Sequence, residues 1–299
     1  MRDADLRGEG RQGHHGGVRT DDPAYPTGAA RARDLAELGS LLVECRACPR
    51  LVEWREAAAA NPRAAFRGQT YWARPVPGFG DDAARIAVVG LAPAADGANR
   101  TGRLFTGDRS GDFLFAALHR VGLANQPEAT SSDDGMVLTG VRLVAPVRCA
   151  PPANKPTPEE RRRCGPWLAR ELELLGPGVR VVVALGAIGW AAALRTLEEQ
   201  GWPVPQPRPR FAHDAAVPLE RPDGGTVTLL GSFHPSPHNT FTGRLTPAML
   251  DAVLDHARRL ADLPPARPAG PAVDIRPSAR QRSRREPFDG SRRDGPAAR

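Results

Sequence analysis

Four short apolar runs constrain the fold of this chain more than any other feature. They comprise residues 85–91, 141–147, 179–185 and 226–233, and helical patterns lie between them. Continuous apolar strands are typical of a parallel sheet that is covered on both faces. We therefore predict an α/β fold, a three-layer α/β/α domain with a central, mostly parallel four-stranded sheet. In such a domain, ligands bind at the carboxyl ends of the strands.

Three helix starts are marked by residues that cap helices. Thr157 precedes a proline, and Glu160 completes the capping-box pattern three residues later. Thr246 also precedes a proline, and Ser110 precedes apolar residues at helical spacing. We expect helices to begin at these three positions.

The two ends of the chain differ in composition from its middle. Residues 1–30 are rich in Gly, Arg and Asp, and residues 264–299 are rich in Pro, Ala and Arg. Segments with few apolar residues and no periodicity are typical of disorder. We expect a disordered N-terminal tail over 1–30, one catalytic domain over 31–263 and a disordered Arg/Pro-rich tail over 264–299.

Charge and hydropathy restrict the partners and the compartment. The net charge is +7, and almost all of the positive charge comes from arginine. A basic surface favours a partner that carries phosphate groups. We find no apolar run long enough to span a membrane and no apolar secretory segment at the N-terminus. We expect a cytoplasmic monomer without a membrane partner. In that compartment cysteines bind metals or react more often than they form disulfides.

The four cysteines form two differently spaced pairs. Cys45 and Cys48 form a C-x2-C motif, whereas Cys149 and Cys164 lie about a hundred residues downstream and are spaced more widely. Four thiolates are the usual ligands of a four-iron cluster. Structural zinc usually takes two short pairs, and a redox C-x-x-C would leave Cys149 and Cys164 unexplained. Cys164 alone would also suit a helix core. The spacing modestly favours a cluster, with zinc as the alternative.

A glycine-rich loop follows the first predicted strand and leads into a helix. Residues 90–113 read GLAPAADGANRTGRLFTGDRSGDF. The glycines let the backbone approach a ligand, but their spacing is neither that of a P-loop nor that of a dinucleotide fingerprint. Phe105 is either a plug of the core or a platform for a flat ligand. Asp96, Asn99 and Asp108 are the polar candidates for catalysis in the loop.

A histidine leaves the last predicted strand at its carboxyl end. Residues 233–246 read FHPSPHNTFTGRLT, and their prolines stiffen the loop that follows His234. A lone histidine is more often structural than catalytic. Its place at a strand exit favours a role for His234 in a site.

These motifs together resemble the uracil-DNA glycosylase superfamily, and most closely its iron–sulfur branch, usually called family five or type b. The resemblance rests on CRAC, on the glycine-rich loop, on APVRCAPPANKPTPEE and on FHPSPHNTFTGRLT, and it covers roughly residues 35–262. It implies an enzyme that flips uracil out of DNA and hydrolyses its glycosidic bond. DNA that contains uracil or other damaged bases would be its partner, and the protein would associate with the nucleoid when bound.

The resemblance also implies roles for individual residues. A [4Fe-4S] cluster would be held by the four cysteines, Cys45, Cys48, Cys149 and Cys164. His234 would contact the base near its O2 atom, Phe105 would stack on the flipped base, and residues 235–244 would enter the DNA from the minor-groove side. We expect catalysis to involve His234 with Asp96, Asn99 or Asp108. The substrate-binding candidates are Gly90, Ala92, Phe105, His234 and Arg244.

Two departures from related families bear on specificity and mechanism. Many relatives carry an acidic or amide residue just after the first glycine of the loop, where this chain has Leu91 and Ala92. Family five is similar in lacking that group. Several relatives place an asparagine four residues before the third cysteine, where this chain has Ala145. That change predicts a broader set of deaminated or alkylated bases.

Two other classes of protein fit the same pattern. One is a non-catalytic metal-cluster protein, with iron–sulfur or zinc, that binds DNA on this fold. The other is a different hydrolase that uses the same scaffold. An assay for abasic sites in uracil-containing DNA separates the three.

Overall fold

The computed structural model describes residues 28–265, in which a six-stranded sheet lies between two layers of helices. The strands are β1 (Phe79–Gly80), β2 (Ile86–Val89), β3 (Val141–Val144), β4 (Val181–Leu185), β5 (Ala216–Glu220) and β6 (Thr226–Ser232). The α-helices of this range are α1 (Leu35–Leu42), α2 (Pro49–Ala60), α3 (Ala98–Thr101), α4 (Arg109–Arg120), α5 (Pro158–Leu175), α6 (Gly186–Glu199), α7 (Pro237–Phe241) and α8 (Pro247–Leu260).

The middle of the sheet consists of four parallel strands in the order β3-β2-β4-β6. These are the four predicted strands. The prediction of four strands in total was wrong, because β1 and β5 pair antiparallel with β3 and β6 at the two edges. β1 has only two residues, and β5 contains Pro218, which a sheet tolerates mainly at its edge. Neither carries the continuous apolar run of a strand buried on both faces.

The two faces of the sheet bury alternate side chains of the same strands. In β2, Ile86 and Val88 pack in one core with α4 and α8, whereas Ala87 and Val89 pack in another with α5 and α6. Successive residues of a strand point to opposite faces, so a sheet covered on both sides requires apolar residues throughout. The prediction of three layers is confirmed.

The predicted starts of α5 and α8 are confirmed. The Thr157 hydroxyl accepts a hydrogen bond from the Glu160 N–H, and the Glu160 carboxylate accepts one from the Thr157 N–H. The Thr246 hydroxyl accepts from the Met249 N–H. Each cap supplies a partner to a backbone donor that the first helical turn leaves free.

The predicted start of α4 was wrong by two residues. Asp108, and not Ser110, is the N-cap, and its carboxylate accepts hydrogen bonds from the N–H groups of Ser110 and Gly111. Asp108 has an extended backbone and two donors within reach, so it fulfils the capping role that we assigned to Ser110. The cap is therefore one of the residues that we also expected in catalysis.

The beginning of the described range packs onto α1 and α5. Ala29 and Ala32 are buried beside Leu38, Leu42 and Trp167. Residues 28–30, which we assigned to the N-terminal tail, therefore have a defined place in the domain. The rest of the two expected tails, residues 1–27 and 266–299, lies outside the described residues. None of the helices between residues 28 and 265 combines the length and apolarity that a membrane crossing requires.

Candidate active site

A cavity of about 270 Å³ lies where the loops leave the carboxyl ends of β2, β3 and β6. Four of the predicted site residues line it, namely Ala92, Phe105, Asp108 and His234. The other lining residues are mainly apolar: Leu91, Pro93, Ala94, Ala98, Leu104, Ser110, Ala145, Asn154, Ser236 and Pro237. The parallel strands thus bring segments that are distant in sequence to one edge of the sheet.

Phe105 has a left-handed backbone, with φ 56°, and two glycines make room for it. A Cβ atom on Gly90 would lie 2.7 Å from the Phe105 ring, and one on Gly111 would overlap the Phe105 carbonyl oxygen. Such a conformation costs a non-glycine residue about 1–3 kcal/mol and is found most often at functional sites. The ring borders the core and also lines the cavity. The packing of Phe105 against the core is therefore shown, and its role as a platform for a flat ligand stays a prediction.

His234 lies two residues after the end of β6, and its ring lies 6.3 Å from the Phe105 ring between centroids, with the planes 33° apart. The Asn239 side-chain amide donates a 2.8 Å hydrogen bond to the His234 carbonyl oxygen and fixes the strand exit. The side chain keeps some access to the cavity, but the atoms packed around it remove most of its hydration. This desolvation lowers the pKa of His234 to about 4. His234 is therefore neutral at pH 7.

Asp108 is the one candidate among the three polar loop residues that lines the cavity. One carboxylate oxygen caps α4, and the other lies against Gly97, where a Cβ atom would overlap it. Burial raises the pKa of Asp108, although its hydrogen bonds from the Gly111 and Ser110 N–H groups oppose the rise. The Asp108 carboxylate is thus held in place by the start of α4 and largely shielded from water.

Asp96 and Asn99, the other two candidates, do not line the cavity. Asp96 accepts a 3.0 Å hydrogen bond from the Tyr71 hydroxyl and forms a 2.7 Å ion pair with Arg63. Asn99 is buried, and its side-chain amide donates to the Arg55 carbonyl oxygen at 3.2 Å. These contacts hold the loop in place on the side away from the cavity.

Two polar residues of the cavity were missed by the sequence analysis. Asn154 follows Ala153, and both have left-handed backbones, with φ 56° and 52°. Ser236 stands between the two prolines after His234 and lines the cavity with Asn154. Asparagine tolerates the left-handed region better than most residues. The Pro-Pro-Ala-Asn turn before the α5 cap was the signal that could have identified Asn154.

The loop of residues 235–244 forms α7 at the rim of the cavity. Pro237 at its start lines the cavity, and Phe241 at its end is 70% exposed. The Arg109 guanidinium lies 5.1 Å from the centroid of the Phe241 ring. An exposed aromatic ring and a cation therefore stand together beside the entrance.

Arg244, predicted to bind substrate, lies next to the cavity rather than in its wall. Its guanidinium stacks on Phe233, 4.6 Å from the ring centroid. It lines a second hollow of about 320 Å³, which shares Leu91 and His234 with the first. Arg244 thus borders a hollow beside the cavity and does not line the cavity itself.

The four cysteines line one small cavity between α1, α2 and α5. The fold brings the two pairs together although about a hundred residues separate them. Burial raises the pKa of Cys48 to about 12 and that of Cys149 to about 11, and it also raises the pKa of Cys164. Thiols in such surroundings become thiolates when a metal centre supplies the compensating charge.

The donors around the cysteines fit a sulfur-rich, anionic group. Arg55 donates to the Cys149 sulfur at 3.0 Å, and the Arg148 backbone N–H donates to the Cys164 sulfur at 3.3 Å. Further N–H groups of Arg55, Arg148 and Trp167 are buried without a hydrogen-bond partner. Among residues 28–265, no group of three or more His, Cys, Asp or Glu side chains is arranged to hold a single metal ion. The pocket suits a group with several acceptor atoms.

Comparison with known proteins agrees with this geometry. The family model of the Uracil DNA glycosylase superfamily matches residues 77–258. The chain is 52% identical to a Type-5 uracil-DNA glycosylase of Mycobacterium tuberculosis, covering 79% of this chain and 85% of the relative. It is 54% identical to one of Thermus thermophilus, covering 74% and 96%. It is 50% identical to one of Mycobacterium leprae, covering 78% and 98%. The chain belongs to the uracil-DNA glycosylase superfamily, among the type-5 uracil-DNA glycosylases.

Proposed function

We propose that this protein removes uracil from DNA by hydrolysing the N-glycosidic bond, which leaves an abasic site for base excision repair. The observation that carries the proposal is the pairing of Phe105 with a neutral His234 in one cavity. An aromatic ring stacks on a flat base, and such stacking is worth about 1–3 kcal/mol per base. A cavity of about 270 Å³ accepts a base only after it has left the helix.

The cavity supplies what glycosidic cleavage needs. The bond from C1′ of the sugar to the base nitrogen breaks, and its electron pair goes to the base. A hydrogen bond from the neutral imidazole of His234 stabilises that developing anion, as an oxyanion hole does. The oxygen of a water molecule then bonds to C1′. We assign Asp108 to orient this water and accept its proton, since Asp96 and Asn99 lie outside the lining.

We propose that the pocket accepts other deaminated bases besides uracil. The side chains of Leu91, Ala92 and Ala145 form an apolar part of the cavity wall. Apolar side chains form no hydrogen bonds with a base, so they do not distinguish bases by their polar groups. Ser110, Asn154 and Ser236 are the neutral polar side chains of the lining that can read the hydrogen-bonding edge of a base. A pocket of this kind discriminates weakly, and bases that lie in mismatches are cheaper to flip than paired ones.

We further propose that Cys45, Cys48, Cys149 and Cys164 hold a [4Fe-4S] cluster. The shared cavity and the buried donors around it support this ligand set. When bound, the cluster supplies a cross-link between α2, the segment after β3 and α5. Its place away from the base cavity assigns it to structure rather than to the hydrolytic step. We expect the protein to act as a cytoplasmic monomer that associates with the nucleoid.

The activity is tested on duplex oligonucleotides in single-turnover reactions, with alkaline cleavage to reveal abasic sites. We expect cleavage at uracil opposite guanine and, more slowly, at hypoxanthine, the deamination product of adenine. A duplex with thymine paired to adenine is the negative control. Binding to uracil-containing DNA without any abasic site would contradict the proposal and favour a non-catalytic DNA-binding protein.

The cluster is tested on protein purified without oxygen. We expect four iron atoms and acid-labile sulfide for each chain, with a brown colour. Replacing Cys45 or Cys149 with Ala should mainly damage folding, because the cluster joins distant segments. A colourless protein with one zinc and no sulfide would overturn this assignment while leaving the hydrolytic proposal intact.

A further inference from the structure

The buried side chain of Arg55 faces the cysteine cavity from the middle of α2. It is 2% exposed, and its Nη1 atom donates to the Cys149 sulfur at 3.0 Å and to the Cys45 carbonyl oxygen at 3.3 Å. Its Nε atom is buried without a partner. Within the described range no ion pair involves Arg55, and the adjacent Glu56 pairs with Arg46 instead.

The other arginines at this cavity have carboxylate partners. Arg148 pairs with Glu171, and Arg163 pairs with Glu159. In residues 28–265, Arg55 is therefore the cation at the cysteines whose charge no carboxylate balances. A buried ion without a counter-ion costs several kcal/mol. The Arg55 guanidinium contacts the Cys149 sulfur. The negative charge that balances Arg55 therefore belongs to the group that the cysteines hold.

We propose that Arg55 is the counter-cation of the group held by the four cysteines, and that its hydrogen bond to Cys149 sets the reduction potential of that group. This inference rests on the proposed iron–sulfur cluster. Net charge and hydrogen bonds to sulfur are two of the factors that set cluster potentials. One electron from a chemical reductant adds one negative charge, and no covalent bond needs to change. A buried guanidinium stabilises the added charge and raises the potential.

The backbone of Arg55 makes a second contact that a side-chain substitution leaves alone. Its carbonyl oxygen accepts the hydrogen bond from Asn99, which lies next to Ala98 of the base cavity. Arg55 thus connects the cysteine cavity to the glycine-rich loop. Because this contact uses the main chain, Arg55→Met leaves it in place and removes the charge together with the hydrogen bonds to the Cys149 sulfur and the Cys45 carbonyl oxygen.

The test is a redox titration of cluster-loaded protein, followed by absorbance and electron paramagnetic resonance. We expect the potential of Arg55→Met to be more negative than that of the wild type. Arg55→Lys keeps the charge and should lie between the two. Arg46→Met is the matched control, because Arg46 is also beside a cysteine but is exposed and already paired. Water and salt screen its charge, so the potential should hardly move.

Resonance Raman spectra of the same samples give a second readout. The iron–thiolate stretching bands should shift in both Arg55 variants, which lose the guanidinium donor to Cys149, and stay in place in Arg46→Met. Equal potentials and equal bands in wild type and Arg55→Met would overturn the proposal. So would loss of the cluster from both Arg55 variants, since charge would then not be what the site requires. A wild-type protein without iron and sulfide would instead refute the cluster itself.

Discussion

His234 and Asp108 show how burial of single residues prepares the chemistry. Burial disfavours the charged form of both groups, so it lowers the pKa of His234 to about 4 and raises the pKa of Asp108. A neutral imidazole can donate to a base anion without carrying a charge that must first be desolvated. The backbone donors at the start of α4 partly offset the burial of Asp108 and favour its carboxylate.

Replacing His234 with Ala tests the hydrogen bond to the leaving base. By analogy with the loss of an oxyanion donor, we expect the single-turnover rate to fall by roughly 10² to 10³. Affinity for uracil-containing DNA should change little, because phosphate contacts dominate binding. His119→Ala, an exposed histidine on α4, is the control and should react like the wild type. A His234→Ala protein as fast as the wild type would refute the assigned role.

The lowered pKa of His234 also predicts how stability depends on pH. The folded histidine titrates near pH 4 and the unfolded one near pH 6.5, so the unfolded state binds more protons between these values. Stability is therefore lost as the pH falls through this window, by at most about 3 kcal/mol from this group. Urea unfolding at pH 7 and pH 5 measures the loss. His234→Asn should show a smaller loss than the wild type, and an equal loss would contradict the shift.

Asp108 combines a structural role with a proposed chemical role, and two substitutions separate them. Asparagine caps helices as well as aspartate does, so Asp108→Asn should keep the thermal stability and lose hydrolytic rate. Asp108→Ala should lose the rate and also about 1 kcal/mol of stability. Thermal unfolding and single-turnover cleavage measure the two effects. If Asp108→Asn cleaves at the wild-type rate, the carboxylate does not accept the proton of the water.

Between elements, Gly90 at the end of β2 lies against the Phe105 ring, and Gly111 in the first turn of α4 lies against the Phe105 backbone. Gly90 and Gly111 leave no space for a side chain at either contact. The stacking platform is therefore a property of two elements as much as of Phe105. A sequence pattern shows the glycines but not which side chain lies above them.

Gly90→Ala tests this arrangement, because its new Cβ atom would lie 2.7 Å from the Phe105 ring. We expect weaker capture of the flipped base for every substrate, as in Phe105→Ala. The double variant should be no worse than Phe105→Ala alone, since residues in contact are not additive. Gly39→Ala, in α1 with only ordinary contacts, is the control and should gain up to about 1 kcal/mol of stability. If the losses of the two single variants added up in the double variant, Gly90 would act independently of Phe105, which would contradict this prediction.

For the whole molecule, the excess of arginine predicts DNA binding that depends strongly on salt. Each neutralised phosphate steepens the log-log salt dependence by about 0.9. Deleting residues 267–299, which lie outside the described residues, should weaken binding and leave single-turnover cleavage at saturation intact. Binding titrations over a range of salt measure the slope. A slope near zero, or loss of cleavage on deletion, would count against this prediction.

Much of the site could be predicted from local patterns, and the failures have physical causes. Val181–Leu185 and Ile86–Val89 are apolar throughout, because both faces of each strand are buried. The sequence alone therefore identifies these strands. The edge strand with Pro218 has no such pattern and was missed. Ser110 and Asp108 both suit an N-cap, and only the backbone geometry chooses between them. Asp96 and Asn99 have suitable polar groups, but Asp96 contacts the Tyr71 and Arg63 side chains, Asn99 contacts the Arg55 carbonyl oxygen, and neither lines the cavity.

The sequence by itself determined the layer order, the helix starts at Thr157 and Thr246, and the edge of the sheet where the cavity lies. Periodicity and capping act within a few residues, so a linear pattern records them. Only the tertiary structure decided that Asp108 lines the cavity with His234, and that Arg55 meets Cys149 across 94 positions of the chain. Such contacts arise because packing removes water from groups that are distant in sequence, and their distances and pKa values exist only once the fold has formed.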